Sequence, residues 1–151
     1  MLVKPHRLIK INRYCKSDNI AILDVGAGSH SASITKEYLP NCEYHGIDIS
    51  KEYYNDEKDF SIMDKFYEMD LTKLDYNVIP DNYFDVIIMS HIIEHLLNGD
   101  KVIESLLSKL KAEGIIYIES PSYRSTRLPS MREKLNFWDD PTHCRIYSLK
   151  E

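Results

Sequence analysis

The sequence predicts an α/β fold, a doubly wound parallel sheet with helices on both faces. Three observations carry this prediction. Apolar runs alternate with helical periods along the chain. The loops that join them are short. The first apolar run, Ile20 to Val25, ends in the small-residue loop Gly26-Ala27-Gly28-Ser29, and a helical pattern begins at Ser31. A strand, a glycine loop and a helix start in that order form the opening of a nucleotide-binding unit.

The elements follow in order. Pro5 to Cys15 reads as a short helix with Leu8, Ile11 and Cys15 on one face. Strand 1, Ile20 to Val25, is apolar on both faces, as a central parallel strand is. The next helix runs from Ser31 to Leu39, burying Ile34 and Tyr38, and Pro40 ends it. Strand 2 is Glu43 to Ile49 and closes on Asp48. Ser50 is placed to cap a short helix through Tyr53 and Tyr54. Strand 3 is Lys65 to Met69, closing on Asp70. Strand 4, Phe84 to Met89, is the most apolar run. Ser90 to Leu97 forms a helical turn or two. Asp100 caps a longer helix whose inner face is Val102, Ile103, Leu106, Leu107 and Leu110, with Gly114 as its C-cap. Strand 5 is Ile115 to Glu119, and the chain from Pro121 is polar and irregular.

Composition bounds the function. At 151 residues, 43% hydrophobic and 28% charged, the chain fits one globular domain. No apolar run approaches the roughly 20 residues of a membrane span. A net charge of −5 argues against a nucleic-acid partner. Lys4, Arg7, Lys10, Arg13 and Lys16 form a basic stretch, read as a solvated helix face rather than an anion site. Cys15, Cys42 and Cys144 lack metal-type spacing, so reduced thiols and a cytoplasmic location are expected.

Chemistry concentrates at the carboxyl ends of the strands, where Asp24, Asp48 and Asp70 fall. Gly26 and Gly28 let the backbone turn tightly and approach a ligand. Asp48 lies 20 positions after Gly28, the spacing at which an acidic residue meets a ribose. Each aspartate also has a purely structural reading, as a turn or helix cap.

In this order and spacing, the segments from Ile22 to Gly28, Gly46-Ile47-Asp48-Ile49-Ser50, Met69-Asp70-Leu71, Phe84 to Ile87 with Ile93 to Leu96, and Leu110 to Gly114 resemble a class I S-adenosylmethionine-dependent methyltransferase. The resemblance implies a Rossmann-like sheet of strand order 3-2-1-4-5, here without the family's C-terminal antiparallel strand pair. It also implies S-adenosylmethionine as cofactor and S-adenosylhomocysteine as product. Asp24, Gly26, Ala27 and Gly28 would line the amino-acid end of the cofactor. Asp48 would hold the ribose, Ile49, Asp70 and Leu71 would meet the adenine, and Ser90 and His91 would border the methyl-donor pocket. Many relatives carry a third glycine where this chain has His30.

The segment Phe137 to Arg145 is similar to one in methyltransferases of glycan and polysaccharide biosynthesis, which implies a small-molecule or sugar-type acceptor. The chain then divides into an N-terminal helix (1–18), a cofactor-binding core (19–120) and an acceptor-side tail (121–151). For a hydroxyl acceptor, His91, His95 and His143 are the groups that titrate near neutrality, and His91 and His143 are the expected catalytic residues. His143 is favoured as base, with Arg145 as an anion or hydroxyl contact.

His91-Ile92-Ile93-Glu94-His95 also spells H-x-x-E-H, a zinc-peptidase pattern in which His143 could be a third ligand. The same Glu-His pair is an ordinary feature of the methyltransferase family, so no metal is expected, and metal-assisted transfer is the minor alternative. A nicotinamide-dependent oxidoreductase needs glycine at Ser31. A non-catalytic partner subunit would keep the same fold. Finally, Ser148-Leu149-Lys150-Glu151 fits a capping box, so the chain is expected to be cut at the opening turn of a helix. Strand 5 then becomes an apolar edge, to be covered by the tail or by a second protomer.

Overall fold

The structure, a computed structural model, describes residues 5–15, 17, 19–52, 55–130 and 136–148. Five strands form one parallel sheet: β1 (Ala21–Val25), β2 (Glu43–Asp48), β3 (Lys65–Glu68), β4 (Phe84–Ser90) and β5 (Leu110–Glu119). Their order is β3-β2-β1-β4-β5, as expected from the sequence. Every residue of β1 is buried, in keeping with its central place.

Alternating side chains split the core between the two faces of the sheet. Ile22, Tyr44, Val86 and Ile88 pack with Leu8 and Ile11 of α1 (His6–Tyr14) and with Ala32 of α2 (Ser31–Tyr38). Leu23, Val25, Ile47, Ile87 and Met89 pack on the other face with Val102 and Leu106 of α4 (Gly99–Leu107). The registers then bring Val25, Ile47, Tyr67, Met89 and Ile118 into one rank at the carboxyl edge.

Several local expectations are corrected. On α2 the buried residues are Ser31, Ala32 and Thr35, while Ile34 and Tyr38 are only partly covered. Ser50 accepts a bond from Glu52 N (3.1 Å) within a turn at 51–52, and Tyr53 and Tyr54 lie outside the described residues. The helix of this region is α3, Glu57–Ile62, which starts later and carries a reciprocal cap between Asp56 and Asp59. The turn after β4 is a single 3-10 turn, Ile93–His95. Helix α4 starts after Asn98, with Asp100 inside its first turn, and Leu107 is half-exposed.

Gly114 is not a helix cap. It sits inside β5, which begins at Leu110. Phe84 pairs with Leu110 and Val86 with Ile115, so residues 111–114 bulge from the ladder. Glu113 is left-handed there (φ 68°), and a Cβ on Gly114 would stand about 3.0 Å from Leu110 Cδ2 and from the Lys111 carbonyl. The glycine serves the bulge.

Among the described residues no strand follows β5, and no backbone hydrogen bond joins the tail to it. The tail packs instead on the segment after β4. Cys144 N and Arg145 N donate to the Glu94 carbonyl (2.9 and 3.2 Å). Tyr147 donates to the Leu96 carbonyl (2.6 Å) and accepts from Gly99 N (2.9 Å). Residues 149–151 of the capping-box segment lie outside the described residues.

Candidate functional site

The site is built where β1 and β4 part, at the carboxyl edge. Gly26 turns left-handed (φ 79°) directly after β1, and Gly26 N and Ala27 N donate to the Ile47 carbonyl (2.8 and 2.9 Å). A Cβ at Gly26 would fall 2.0 Å from Ile92 Cδ1. A Cβ at Gly46 would fall 2.9 Å from that of Ala27. Both glycines therefore let the loop lie down between β2 and the turn after β4. The further left-handed residues of the loop are Ser29 and His30 (φ 53° and 59°), whereas Gly28 has no positive φ.

Two left-handed non-glycine residues need an outside hold. Segment 55–59 supplies it. Asn55 Oδ1 accepts from His30 N (3.3 Å), and Asn55 Nδ2 donates to the Ala27 carbonyl (2.9 Å). Asp59 accepts from Ser33 Oγ (2.5 Å) and pairs with His30 Nδ1 (2.6 Å). Burial opposes the Asp59 charge, but the bonds from Ser33, the Asp56 amide and His30 outweigh it and hold its pKa at about 2. Asp56 and Asp59 form a legible cap pattern, D-x-x-D, but the reach of Asn55 and Asp59 back to the loop left no sequence signal.

Asp24 is 3% exposed and lies beneath the loop. It accepts from Ser31 Oγ and from Tyr44 OH (2.7 Å). Burial raises its pKa against the pull of those bonds and of Arg7. Arg7 is the residue the basic-stretch reading missed. Its guanidinium donates to Ser31 Oγ (3.1 Å), and its buried Nε has no hydrogen bond. Arg13, by contrast, is exposed, and Lys4 and Lys16 lie outside the described residues.

Asp48 ends β2 half-buried, with Oδ1 accepting from Ile49 N (2.7 Å). Burial raises its pKa, while the amides of Ile49 and Ser50 lower it. Ile49 is 64% exposed, unusual for an apolar side chain at a strand end. It lines a cleft of about 510 Å³ with Glu68, Met69, Asp70, Lys73 and Asp75. Asp70 forms an Asx-turn, accepting from Thr72 N (3.0 Å) and Thr72 Oγ1 (2.6 Å), and these bonds lower its pKa. Leu71 follows, its carbonyl held by Tyr76 OH (2.7 Å).

On the β4 side, Ser90 Oγ donates to Glu119 Oε2 (3.4 Å). His91 is left-handed (φ 57°), and its Nδ1 lies 3.3 Å from Glu94 Oε1. That carboxylate raises the His91 pKa. His91 precedes the 3-10 turn, so His91 and His95 do not share a helix face as H-x-x-E-H requires. His95 meets the tail instead. Its ring centroid stands 4.8 Å from that of His143. Phe137, 1% exposed, anchors the tail beneath His143, whereas Trp138 is 61% exposed. Arg145 donates to the Leu97 carbonyl (3.1 Å) and pairs with Asp100 (3.5 Å), fixing the tail in place.

A β3-β2-β1-β4-β5 sheet with a glycine turn after β1 and an acidic residue ending β2 defines the Rossmann-like fold of the class I methyltransferases. A family model described as "Methyltransferase domain" matches residues 5–151, and the chain belongs to that family. None of the curated proteins matches it. Among solved structures, it is similar to a SAM-dependent methyltransferase from Archaeoglobus fulgidus at 23% identity and TM-score 0.64, over 95% of this chain and 62% of that one. It is similar to the YcgJ protein from Bacillus subtilis at 21% identity and TM-score 0.68, over 96% of this chain and 63% of that one. It also resembles the plantazolicin methyltransferase BpumL, solved in complex with SAH, at 23% identity and TM-score 0.69, over 91% of this chain and 55% of that one. The chain thus spans less than two thirds of the length of each.

Proposed function

We propose that this chain binds S-adenosylmethionine and transfers its methyl group to a small-molecule or sugar-type acceptor. The observation that carries the reading is the rank of groups at the carboxyl edge: the Gly26 turn, half-buried Asp48 and exposed Ile49, on the fold of a methyltransferase family. Ser31 stands in place of a third glycine, which leaves the oxidoreductase reading without support.

The residues fit the cofactor. Asp48 accepts only the Ile49 and Ser50 amides and offers its remaining lone pairs to a ribose diol. Ile49 and the cleft beside it suit an adenine, with Asp70 and Leu71 at its edge. Gly26, Ala27, Gly28 and Asp24 line the amino-acid end, where Arg7 adds a cation for a carboxylate. When bound, S-adenosylmethionine supplies a methyl group already activated on a sulfonium, so the chain's work is alignment.

Ser90, His91 and His143 border the acceptor side in this reading. His91 turns Nδ1 toward Glu94, which leaves Nε2 as the nitrogen that receives an acceptor proton. Exposed Trp138 and Tyr123, the latter with Arg127 5.6 Å above its ring, offer flat apolar faces of the kind that stack on sugars. The free cysteines Cys15, Cys42 and Cys144 suit a reducing, cytoplasmic compartment. Among the described residues no strand pairs with the outer edge of β5, and a second copy of the chain adding there would be detected by light scattering.

Calorimetry with S-adenosylmethionine and S-adenosylhomocysteine tests the cofactor, and methyl transfer over an acceptor panel tests turnover. Failure to bind either nucleoside overturns the reading. Binding without turnover on any acceptor favours the non-catalytic partner subunit.

A further inference from the structure

We infer that Glu94, His95 and His143 form a binding site for a first-row divalent cation, with Zn²⁺ the ion best suited to two imidazoles and one carboxylate. One ligand atom on each of the three side chains lies within 4.8 Å of the other two. Tetrahedral ligands of zinc stand about 3.4 Å apart, so the side chains need to close by about 1.5 Å at most.

The first observation that points to a ligand is Glu94 itself. Its side chain is 1% exposed, and neither carboxylate oxygen has a hydrogen bond. His91 Nδ1, 3.3 Å from Oε1, is within ion-pair range but lacks hydrogen-bond alignment. The His91 pair is therefore the one charge contact shown for Glu94, and a buried carboxylate whose oxygens accept no hydrogen bond is costly unless further positive charge meets it.

The second observation is the orientation of both imidazoles. Thr142 Oγ1 gives its only proton to Asp140 Oδ1 (2.5 Å), a carboxylate that can only accept. Thr142 Oγ1 must therefore accept from His95 Nδ1 (2.9 Å), which fixes the proton there. His143 Nδ1 lies 2.6 Å from the Phe137 carbonyl, which also only accepts, so its proton is fixed on Nδ1 as well. On both rings this leaves Nε2 as the nitrogen with the lone pair. Asp140 Oδ2, 3.8 Å from His143 Nε2, adds negative charge nearby. An imidazole whose far nitrogen donates to a carbonyl or hydroxyl is the second-shell pattern of metal-binding histidines.

The other cluster of this kind, His30 with Asp56 and Asp59, contrasts with it. There the buried Asp59 carboxylate is satisfied by Ser33, by the Asp56 amide and by His30. It needs no ion.

Three protein ligands leave at least one position open to water or another oxygen. A cation here takes the His143 lone pair that the sequence reading assigned to a proton. The test uses no methyl donor or acceptor, so the site stands or falls apart from methyl transfer.

Metal-stripped protein is titrated with Co²⁺, read by its visible absorption, and with Zn²⁺ against a chromophoric chelator. One equivalent is expected to bind. His95→Ala and His143→Ala should each weaken binding on the order of a hundredfold or more, and Thr142→Val about 10- to 100-fold. His6→Ala, on the exposed surface, serves as the unchanged control. A second measurement needs no variant: Zn²⁺ should protect His95 and His143, but not His6, from diethyl pyrocarbonate in peptide mass spectra. Unchanged affinity in both histidine variants, or equal modification of His95 and His143 with and without Zn²⁺, overturns the assignment.

Discussion

His30 Nδ1 stands 2.6 Å from Asp59 Oδ2, and that single pair ties the glycine loop to α3. Asp59 has no exposed surface, while the His30 side chain is more than half exposed. The relation explains how the chain dispenses with a third glycine. Position 30 adopts the left-handed conformation a glycine would take, and α3 holds it there.

The depressed Asp59 pKa makes a stability prediction. At about 2, it lies below the ordinary 3.8, so the folded state favours the charged form. The resulting stability is fully present above pH ~4 and is lost as pH falls through about 2. A gap of that size is worth about 2 kcal/mol. Urea unfolding of wild type between pH 6 and pH 2 should show this loss, and Asp59→Asn should show a flatter profile with lower stability at pH 6. Parallel profiles would remove Asp59 from the account.

Asp48→Ala is expected to weaken S-adenosylmethionine binding about tenfold or more, the cost of losing hydrogen bonds to a charged group. Because Asp48 ends β2 half-buried and bonds only to neighbouring amides, unfolding should change little. Calorimetry and thermal melts on one sample separate the two effects. An unchanged Kd would take Asp48 out of the site.

The strand order was legible because five apolar runs alternate with helices and right-handed crossovers leave few topologies. Asp48 was legible for the same reason, as the last residue of β2, whereas Asp24 falls one residue before the end of β1 and Asp70 two residues past β3, capping the turn that follows. What stayed hidden depends on contacts between distant segments. Arg7 reads as one charge in a basic stretch until α1 folds back and brings it to Ser31, 24 residues away. Gly114 looks like a helix stop because a glycine after an amphipathic run usually is one. The pairing of Leu110 with Phe84 claims that run for β5. H-x-x-E-H misled in a similar way, since left-handed His91 sends the first histidine away from the helix face the motif presumes.

Gly26→Ala separates two costs. The new Cβ would meet Ile92 Cδ1 at 2.0 Å and Cγ1 at 2.4 Å, an overlap that truncating Ile92 removes. The left-handed backbone cannot be relieved and costs about 1–2 kcal/mol for an L-residue. Gly26→Ala should therefore lower stability by at least that much, and adding Ile92→Ala should recover only the steric part. Full recovery in the double variant, measured by urea unfolding and corrected for Ile92→Ala alone, would show that the φ of 79° is not required.

The last prediction concerns Arg7, whose buried Nε lacks a hydrogen bond beside Asp24 and Ser31. In the proposed cofactor reading, its guanidinium meets the amino-acid carboxylate in a charge-assisted pair. Arg7→Ala should weaken S-adenosylmethionine binding by about tenfold to a hundredfold, the range for hydrogen bonds to charged groups. Arg7→Lys should recover only part, because an ammonium lacks the guanidinium's paired donors. A structural role alone predicts the same loss for any ligand of the site. A carboxylate contact predicts that the loss vanishes for decarboxylated S-adenosylmethionine, which keeps the sulfonium and nucleoside but not the acid. Measuring both ligands on wild type and Arg7→Ala closes a cycle whose coupling energy is the pair itself. Equal losses for the two ligands would assign Arg7 to holding Ser31 and Asp24 in place rather than to the cofactor.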